Sequence, residues 1–317
     1  MSNRLYVGVT DSSWYEYLTE HNEQLEEVNF WRPGGNSVFS ALEPGDMFLF
    51  KLKSPINAIV GGGFFLKYIV LPTYLAWKSF GIENGTNSLS SLDSMIQKHR
   101  KRENTLQRNP SIGCIILTSP FFFPKESWIE QPQDWKANIV QGKTYNMDQM
   151  PGMMLANQVM ERLQKGNLEN KASYVASGTY DEQPRYGNPI ISRNRIGQGS
   201  FRAFVSIAYQ HRGAITGERT LPVLDAAHII PYSEKGTHAI SNGLLLRTDI
   251  HNLYDSGYIA VDDSYKVMVS KRLFEDFGNG KVYYAYDGQP LSVFPQKQDE
   301  SPDKKALIWH CERIFKG

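Results

Sequence analysis

The sequence predicts an α+β protein of two domains, and three observations lead there. Residues 1–150 are written in short apolar or alternating runs separated by Pro, Gly and Asn, which is the punctuation of strands. Residues 191–317 carry the order helix, strand, strand, helix. Between them, residues 151–190 read as a helix followed by polar, turn-rich text suited to a linker.

In the first domain the runs Leu5–Val9, Met47–Leu52, Ile56–Val60 and Ile112–Leu117 are the expected strands. Pro44-Gly45-Asp46 supplies a turn into the second of them, and Gly61-Gly62-Gly63 permits a bend or bulge after the third. Helices are expected over Leu71–Phe80 and over Ser91–Arg102, the latter opening with serines that cap it and ending in Lys98, Arg100, Lys101 and Arg102. A helix over Gly152–Gln164 precedes the linker, Lys165–Asn188. Beyond it come a helix over Phe201–Gln210, a strand within Leu221–Ile230, a strand over Leu244–Arg247 and, over Thr248–Asp255, the start of another helix.

Composition narrows the function classes. A chain of 317 residues, 41% hydrophobic and 21% charged, has the balance of a globular protein able to bury two cores. With a formal net charge of +1, any grip on a polyanion must come from local basic patches. The two cysteines, Cys114 and Cys311, are too few and too far apart for a disulfide framework or a paired-cysteine zinc ribbon. With no secretory pattern and no apolar run of about 18 residues, the expectation is a soluble cytoplasmic protein with no membrane partner and no small-molecule cofactor.

The chemistry concentrates in three short segments. Leu224-Asp225-Ala226-Ala227-His228-Ile229-Ile230-Pro231 is followed by Ser241-Asn242-Gly243-Leu244-Leu245-Leu246, then by Asp249-Ile250-His251-Asn252-Leu253-Tyr254-Asp255. The spacings are 242 − 228 = 14 and 251 − 242 = 9. A strand ending in one histidine, a loop locked by an asparagine amide and a helix presenting a second histidine let the two imidazoles converge. Phosphodiester cleavage uses such a pair. A neutral imidazole near its ordinary pKa takes a proton from water, while a cation held by the other histidine and a carboxylate stabilises the charge that develops on phosphorus oxygens.

At these residues the chain resembles the HNH, or ββα-metal, nucleases, in the branch reading Ala-Ala-His-Ile-x-Pro, Asn-Gly-Leu-x-Leu and His-x-Leu-aromatic-Asp-x-Gly. The resemblance covers about Phe201–Leu273, departing at Gly213, where that branch commonly has cysteine. It implies His228 as general base, Asn242 as the structural asparagine and His251 as a metal ligand for a divalent ion, Mg²⁺, Mn²⁺ or another. Many family members place an aspartate directly before the base, but Ala227 stands there, so the second ligand is sought at Asp225, with Asp255 in reserve. Side chains 225 and 227 share a strand face, which favours Asp225. Asp255, two residues before Gly257, also suits a helix-end turn.

Between Gln183 and Gly217 no acidic residue occurs, yet Arg185, Arg193, Arg195, Arg202 and Arg212 do. This strip, with Gly197-Gln198-Gly199-Ser200 in its middle, is expected to grip the DNA backbone, Arg193, Arg195, Arg202 and Arg212 foremost.

The first domain sets aromatic residues beside turns: Phe30-Trp31-Arg32-Pro33-Gly34, Ala76-Trp77-Lys78-Ser79-Phe80-Gly81, Pro120-Phe121-Phe122-Phe123, and Trp135 ahead of Asn138 to Tyr145. Over about Ser2–Tyr145 it resembles the EVE type of PUA-like β-barrel, a relative of readers of modified nucleotides. The resemblance implies a pocket that accepts a flipped modified cytosine between aromatic faces, with Trp31 and Trp77 foremost and Trp135, Phe80 and Asn84 beside them. One buried methyl is worth about 0.8 kcal/mol, roughly fourfold, so methyl burial alone discriminates weakly.

A reader joined to a cutter is the architecture of a modification-dependent restriction endonuclease. The expected substrate is double-stranded DNA bearing 5-methylcytosine or 5-hydroxymethylcytosine, the expected assembly a homodimer with one nuclease unit per strand, and the expected role defence against phage. The rivals are an HNH endonuclease that reads unmodified sequence and a non-catalytic nucleic-acid reader; RNA as substrate is weaker.

Overall fold

The structure is a computed structural model that describes residues 3–35, 38–100, 109–177 and 196–317. The chain divides into two compact units, Met1–Arg195 and Ile196–Gly317. Among the described residues no helix is long and apolar enough to cross a membrane.

The first unit is built on one sheet. In chain order its elements are β1 (Arg4–Thr10), α1 (Ser12–Glu20), β2 (Glu27–Arg32), β3 (Met47–Leu52), β4 (Ala58–Pro72), α2 (Thr73–Phe80), α3 (Leu89–His99), β5 (Ser111–Phe122), β6 (Ile129–Glu130), β7 (Gly142–Asn146) and α4 (Gly152–Ser177). The strands lie in the order β2-β5-β4-β3-β1-β7, with β6 paired to β4. Among the described residues only β1 and β3 run parallel, Leu5 facing Met47 through Thr10 facing Leu52.

Strict alternation sorts the side chains of β3 onto two cores, which is why Met47-Phe48-Leu49-Phe50 reads as an unbroken apolar run. Phe48, Phe50 and Leu52 join Trp14, Tyr15 and Leu18 of α1 with Val28 and Phe30 of β2. Met47 and Leu49 face the other way, onto Leu5, Val7, Ile59, Phe121 and Phe123, and α4 covers that cluster with Leu155 and Val159. The glycine run 61–63 lies inside β4, where the register with β5 shifts between Gly62 and Phe64. The strand bulges there and continues, rather than ending near Val60 as the sequence suggests.

The strand ladder is an open path, with β2 and β7 at its two ends. An expected closed barrel is therefore not shown by the pairing. The ends are bridged by a side-chain bond, Arg32 Nη2 donating to Gln141 Oε1 at 2.7 Å just before β7. Sequence reading also misses α1, β2 and β7, and it ends α4 at Gln164. The helix runs on to Ser177, into the stretch expected as linker, because no proline interrupts it.

The second unit comprises α5 (Gln198–Ala208), β8 (Leu224–His228), β9 (Gly243–Arg247), α6 (Thr248–Asp255), β10 (Ile259–Val261), β11 (Val267–Val269), α7 (Arg272–Phe277), α8 (Lys281–Tyr284) and α9 (Lys304–Arg313). β8 and β9 form an antiparallel pair, Leu224 facing Arg247 and His228 facing Gly243. The core takes Phe201 and Val205 from α5 and Tyr209 just after it, Ala227 from β8, Leu244 and Leu246 from β9, Ile250 and Tyr254 from α6, and Leu307 from α9. This packing fixes where α6 sits against the hairpin.

Candidate functional site

The site of the second unit starts from the end of β8. His228 is the last residue of that strand, and its ring stacks on Phe201 at 3.9 Å between centroids and 12° between planes. Phe201 is fully buried. The facing residue, Gly243, admits this stack: a Cβ there would lie 2.5 Å from a Val205 methyl and 3.0 Å from the Phe201 ring. The Asn-Gly pair is thus a close-packing requirement of β9 against α5.

Asn242, buried at 6% exposure, clasps the loop that follows His228. Its Oδ1 accepts from Ile230 N at 2.9 Å, and its Nδ2 donates to Ile230 O at 3.0 Å and to Thr237 O at 2.9 Å. Its own carbonyl accepts from Ile229 N at 2.9 Å. One residue, by its side chain and its carbonyl, therefore ties residues 229–230 to residue 237 across the loop.

His228 Nε2 is buried and has no hydrogen-bond partner among the described residues. Burial, followed by electrostatic interaction with His238, His251 and Arg202, pushes the imidazole down to about 4. The sequence expectation of an ordinary pKa is corrected here, and the ring is neutral throughout the physiological range. It is a weaker base than a free imidazole but stays unprotonated.

His251 projects from α6, with Nε2 at 3.3 Å from Asp255 Oδ2 one turn later. Asp225 reaches the same helix from the other side, its Oδ2 accepting from Thr248 Oγ1 at 2.6 Å. Thr248, His251 and Asp255 are spaced 3 and 4 residues apart, one stripe of the helix, with the Asp225 carboxylate bonded at its Thr248 end. Among the described residues no group of three or more His, Cys, Asp and Glu side chains could hold a metal. The fit is to an ion sharing its shell with solvent and substrate, held by the His251 imidazole and a hard carboxylate oxygen.

Of the predicted backbone-gripping residues, Arg202 is exposed and near enough for its charge to act on His228. Arg212 is half-buried after the left-handed residues Gln210 and His211, and its Nε has no hydrogen-bond partner among the described residues. Arg193 and Arg195 lie outside the described residues. Gly199 and Ser200 are buried in the first turn of α5 rather than in a loop open to phosphate.

Two members of this neighbourhood are missed by sequence reading. Phe201 reads as ordinary core. His238 stands between the motifs, its ring 5.3 Å from His228 and stacked on Tyr232 at 4.8 Å. A third histidine in the loop between His228 and Asn242 is the signal that could have found it.

In the first unit Trp31 and Asn84 meet: the Trp31 indole donates to Asn84 O at 3.0 Å, as does that of Trp14. The Asn84 side chain is committed to the scaffold. Its Oδ1 accepts from Asn29 Nδ2 at 2.9 Å, and its Nδ2 donates to Ala76 O at 3.2 Å and Gly81 O at 2.9 Å. The bonds to Ala76 and Gly81 hold the end of α2, which carries buried Phe80 and half-exposed Trp77. Trp135 lies in another neighbourhood, packed on the second core with Lys51 Nζ 5.0 Å from its ring. The expected five-residue pocket is thus split.

Beside Trp31, Glu83 Oε1 accepts from Glu27 N at 2.9 Å and Glu26 N at 3.1 Å. Burial, then the neighbouring Glu27 charge, pushes Glu83 up to about 8 against the lowering effect of those bonds. The folded state therefore keeps a proton that the unfolded chain releases near its ordinary value of 4.5. This contribution to stability is complete below pH 4.5 and is lost as pH rises towards 8. Glu83→Gln is expected to remove that slope, so its unfolding midpoint should gain on the wild type between pH 5 and 8. A constant difference across the window would contradict the assignment.

Residues 214–262 match the family model for HNH endonucleases. The second unit thus contains an HNH endonuclease domain, and such nucleases generally use a divalent metal. Among solved structures, the chain is similar to a modification dependent TagI restriction endonuclease, at 12% identity over 91% of this chain and 75% of that one with a TM-score of 0.27. No curated protein matches the chain.

Proposed function

We propose, starting from the HNH endonuclease domain at residues 214–262, that this chain is a modification-dependent restriction endonuclease acting on double-stranded DNA. The observation that carries the nuclease reading is His228, a neutral imidazole with a buried, unpartnered Nε2 at the end of β8. It takes a proton from the attacking water as the water oxygen bonds to phosphorus and the 3′-oxygen leaves. Asn242 keeps His228 and its loop in register. His251 and Asp225 hold the divalent ion, Mg²⁺ or Mn²⁺, with Asp255 orienting the His251 ring through Nε2. The ion supplies charge stabilisation for the phosphorane and the leaving oxygen. Arg202 contacts backbone phosphate. A single unit cuts one strand, so cleavage of both requires two copies, as in a homodimer.

The first unit is the reader. Trp31, its indole pinned to Asn84 and its ring half-exposed, is the stacking platform for 5-methylcytosine or 5-hydroxymethylcytosine. Trp77 and Phe80 belong to the wall that Asn84 holds.

Matched unmodified, methylated and hydroxymethylated duplexes, digested with Mg²⁺ or Mn²⁺, test this reading. The modified duplexes should be cut faster. Loss of one base–aromatic stack is worth about 1–3 kcal/mol, so Trp31→Ala should slow cleavage of modified DNA by roughly five- to a hundredfold. Equal cutting of all three would point instead to a reader of unmodified sequence, and binding without cutting to a non-catalytic reader.

A further inference from the structure

The loop closed by Asn242 carries more than the base. His238 follows Thr237, whose carbonyl is one of the three groups the Asn242 side chain holds. Its Nδ1 lies 2.8 Å from Ile196 O, and since a carbonyl only accepts, that nitrogen carries hydrogen. The ring is stacked on Tyr232 at 26° and lies 5.3 Å from His228 and 5.8 Å from Phe201. With Nδ1 occupied, Nε2 on the far side of the ring is the only nitrogen left to act. The side chain is half-buried, as a group reached from solvent by a ligand must be.

We infer that His238 is a second catalytic histidine, which binds a non-bridging oxygen of the scissile phosphate through Nε2–H beside the attacking side held by His228. The inference rests on the nuclease reading and deepens it. A phosphodiester anion brought against Nε2 favours the imidazolium, taking one proton from solvent. The ring then donates from both nitrogens, to Ile196 O and to phosphate, and the new Nε2–H bond is the one covalent change at His238. The added cation strengthens the electrostatic grip on the phosphorane. The same charge disfavours protonation of His228, so the neighbour that binds the anion also helps keep the base neutral.

His238→Phe separates contact from packing, because it keeps an aromatic ring against Tyr232 and His228 but has no N–H. His238→Gln restores a donor without the charge. Binding of a modified duplex is measured in EDTA at several salt concentrations, nicking is measured with Mn²⁺, and thermal melts report folding of each variant. His238→Phe should raise Kd about tenfold, reduce the slope of log affinity against log salt by about one, and lower kcat/KM by ten- to a hundredfold. His238→Gln should recover part of the affinity but not the salt slope. A folded His238→Phe that binds and nicks as the wild type does overturns the inference. So does a fall in kcat at unchanged Kd and salt slope, which would make His238 a positioning residue acting through His228. Should His238→Phe fail to fold, a His238→Gln that keeps the wild-type salt slope overturns it as well. A wild type that does not nick at all would instead defeat the nuclease reading beneath it.

Discussion

Asn242→Ala is expected to destabilise the second unit by about 3 kcal/mol, lowering its melting temperature by roughly 10 °C, and to cut nicking at least about a hundredfold where the unit is still folded. The substitution removes an acceptor from Ile230 N and donors from Ile230 O and Thr237 O, all at a side chain with 6% exposure. Each bond contributes about 1 kcal/mol, and a buried group left unpaired adds to the loss. The effect on activity follows from what is released: residues 229–230 immediately follow His228, and Thr237 immediately precedes His238. Asn242→Asp is a sharper control. It can still accept from Ile230 N, but it sets a second oxygen against two carbonyls, so it should be no better than alanine. Melting curves and nicking rates that match the wild type for both variants would show that the loop holds without the clasp.

The second unit was legible because its chemistry is local and its frame is written in small elements. A helix starts at Thr248, as the sequence suggests, and ends at Asp255, and β8 and β9 fall where two apolar runs flank the loop. His238 escaped because a loop histidine has no periodicity; only the Asn242 clasp brings it back to His228. The depressed basicity of His228 was also invisible, since it arises from Phe201, His238, His251 and Arg202, which converge only after folding. In the first unit β3 could be read from its unbroken apolar run, which packs on both faces. β2 could not: Glu27, Asn29 and Trp31 alternate with Val28 and Phe30, but the polar face is buried beneath Asn84 and Glu83 rather than exposed. Separating Trp31 from Trp135 required knowing which core each side chain faces, and composition does not carry that.

His228→Ala carries the other large expected effect. The wild-type ring is unprotonated well below neutral pH, because burial, with His238, His251 and Arg202 nearby, pushes it down to about 4. It is thus competent to accept a proton at every pH at which the enzyme would work. General base catalysis contributes about 10²- to 10⁴-fold, so the variant should retain about a thousandth of the wild-type rate. DNA affinity should change little, since a neutral imidazole adds no phosphate-neutralising charge. The wild-type and alanine proteins are therefore to be compared in single-turnover conversion of modified supercoiled plasmid to nicked circles, with Mn²⁺ or with EDTA. Nicking that needs the cation and falls about a thousandfold in His228→Ala, with binding retained, is the predicted result. Wild-type nicking that persists in EDTA, or an alanine variant that cuts as fast as the wild type, would contradict it.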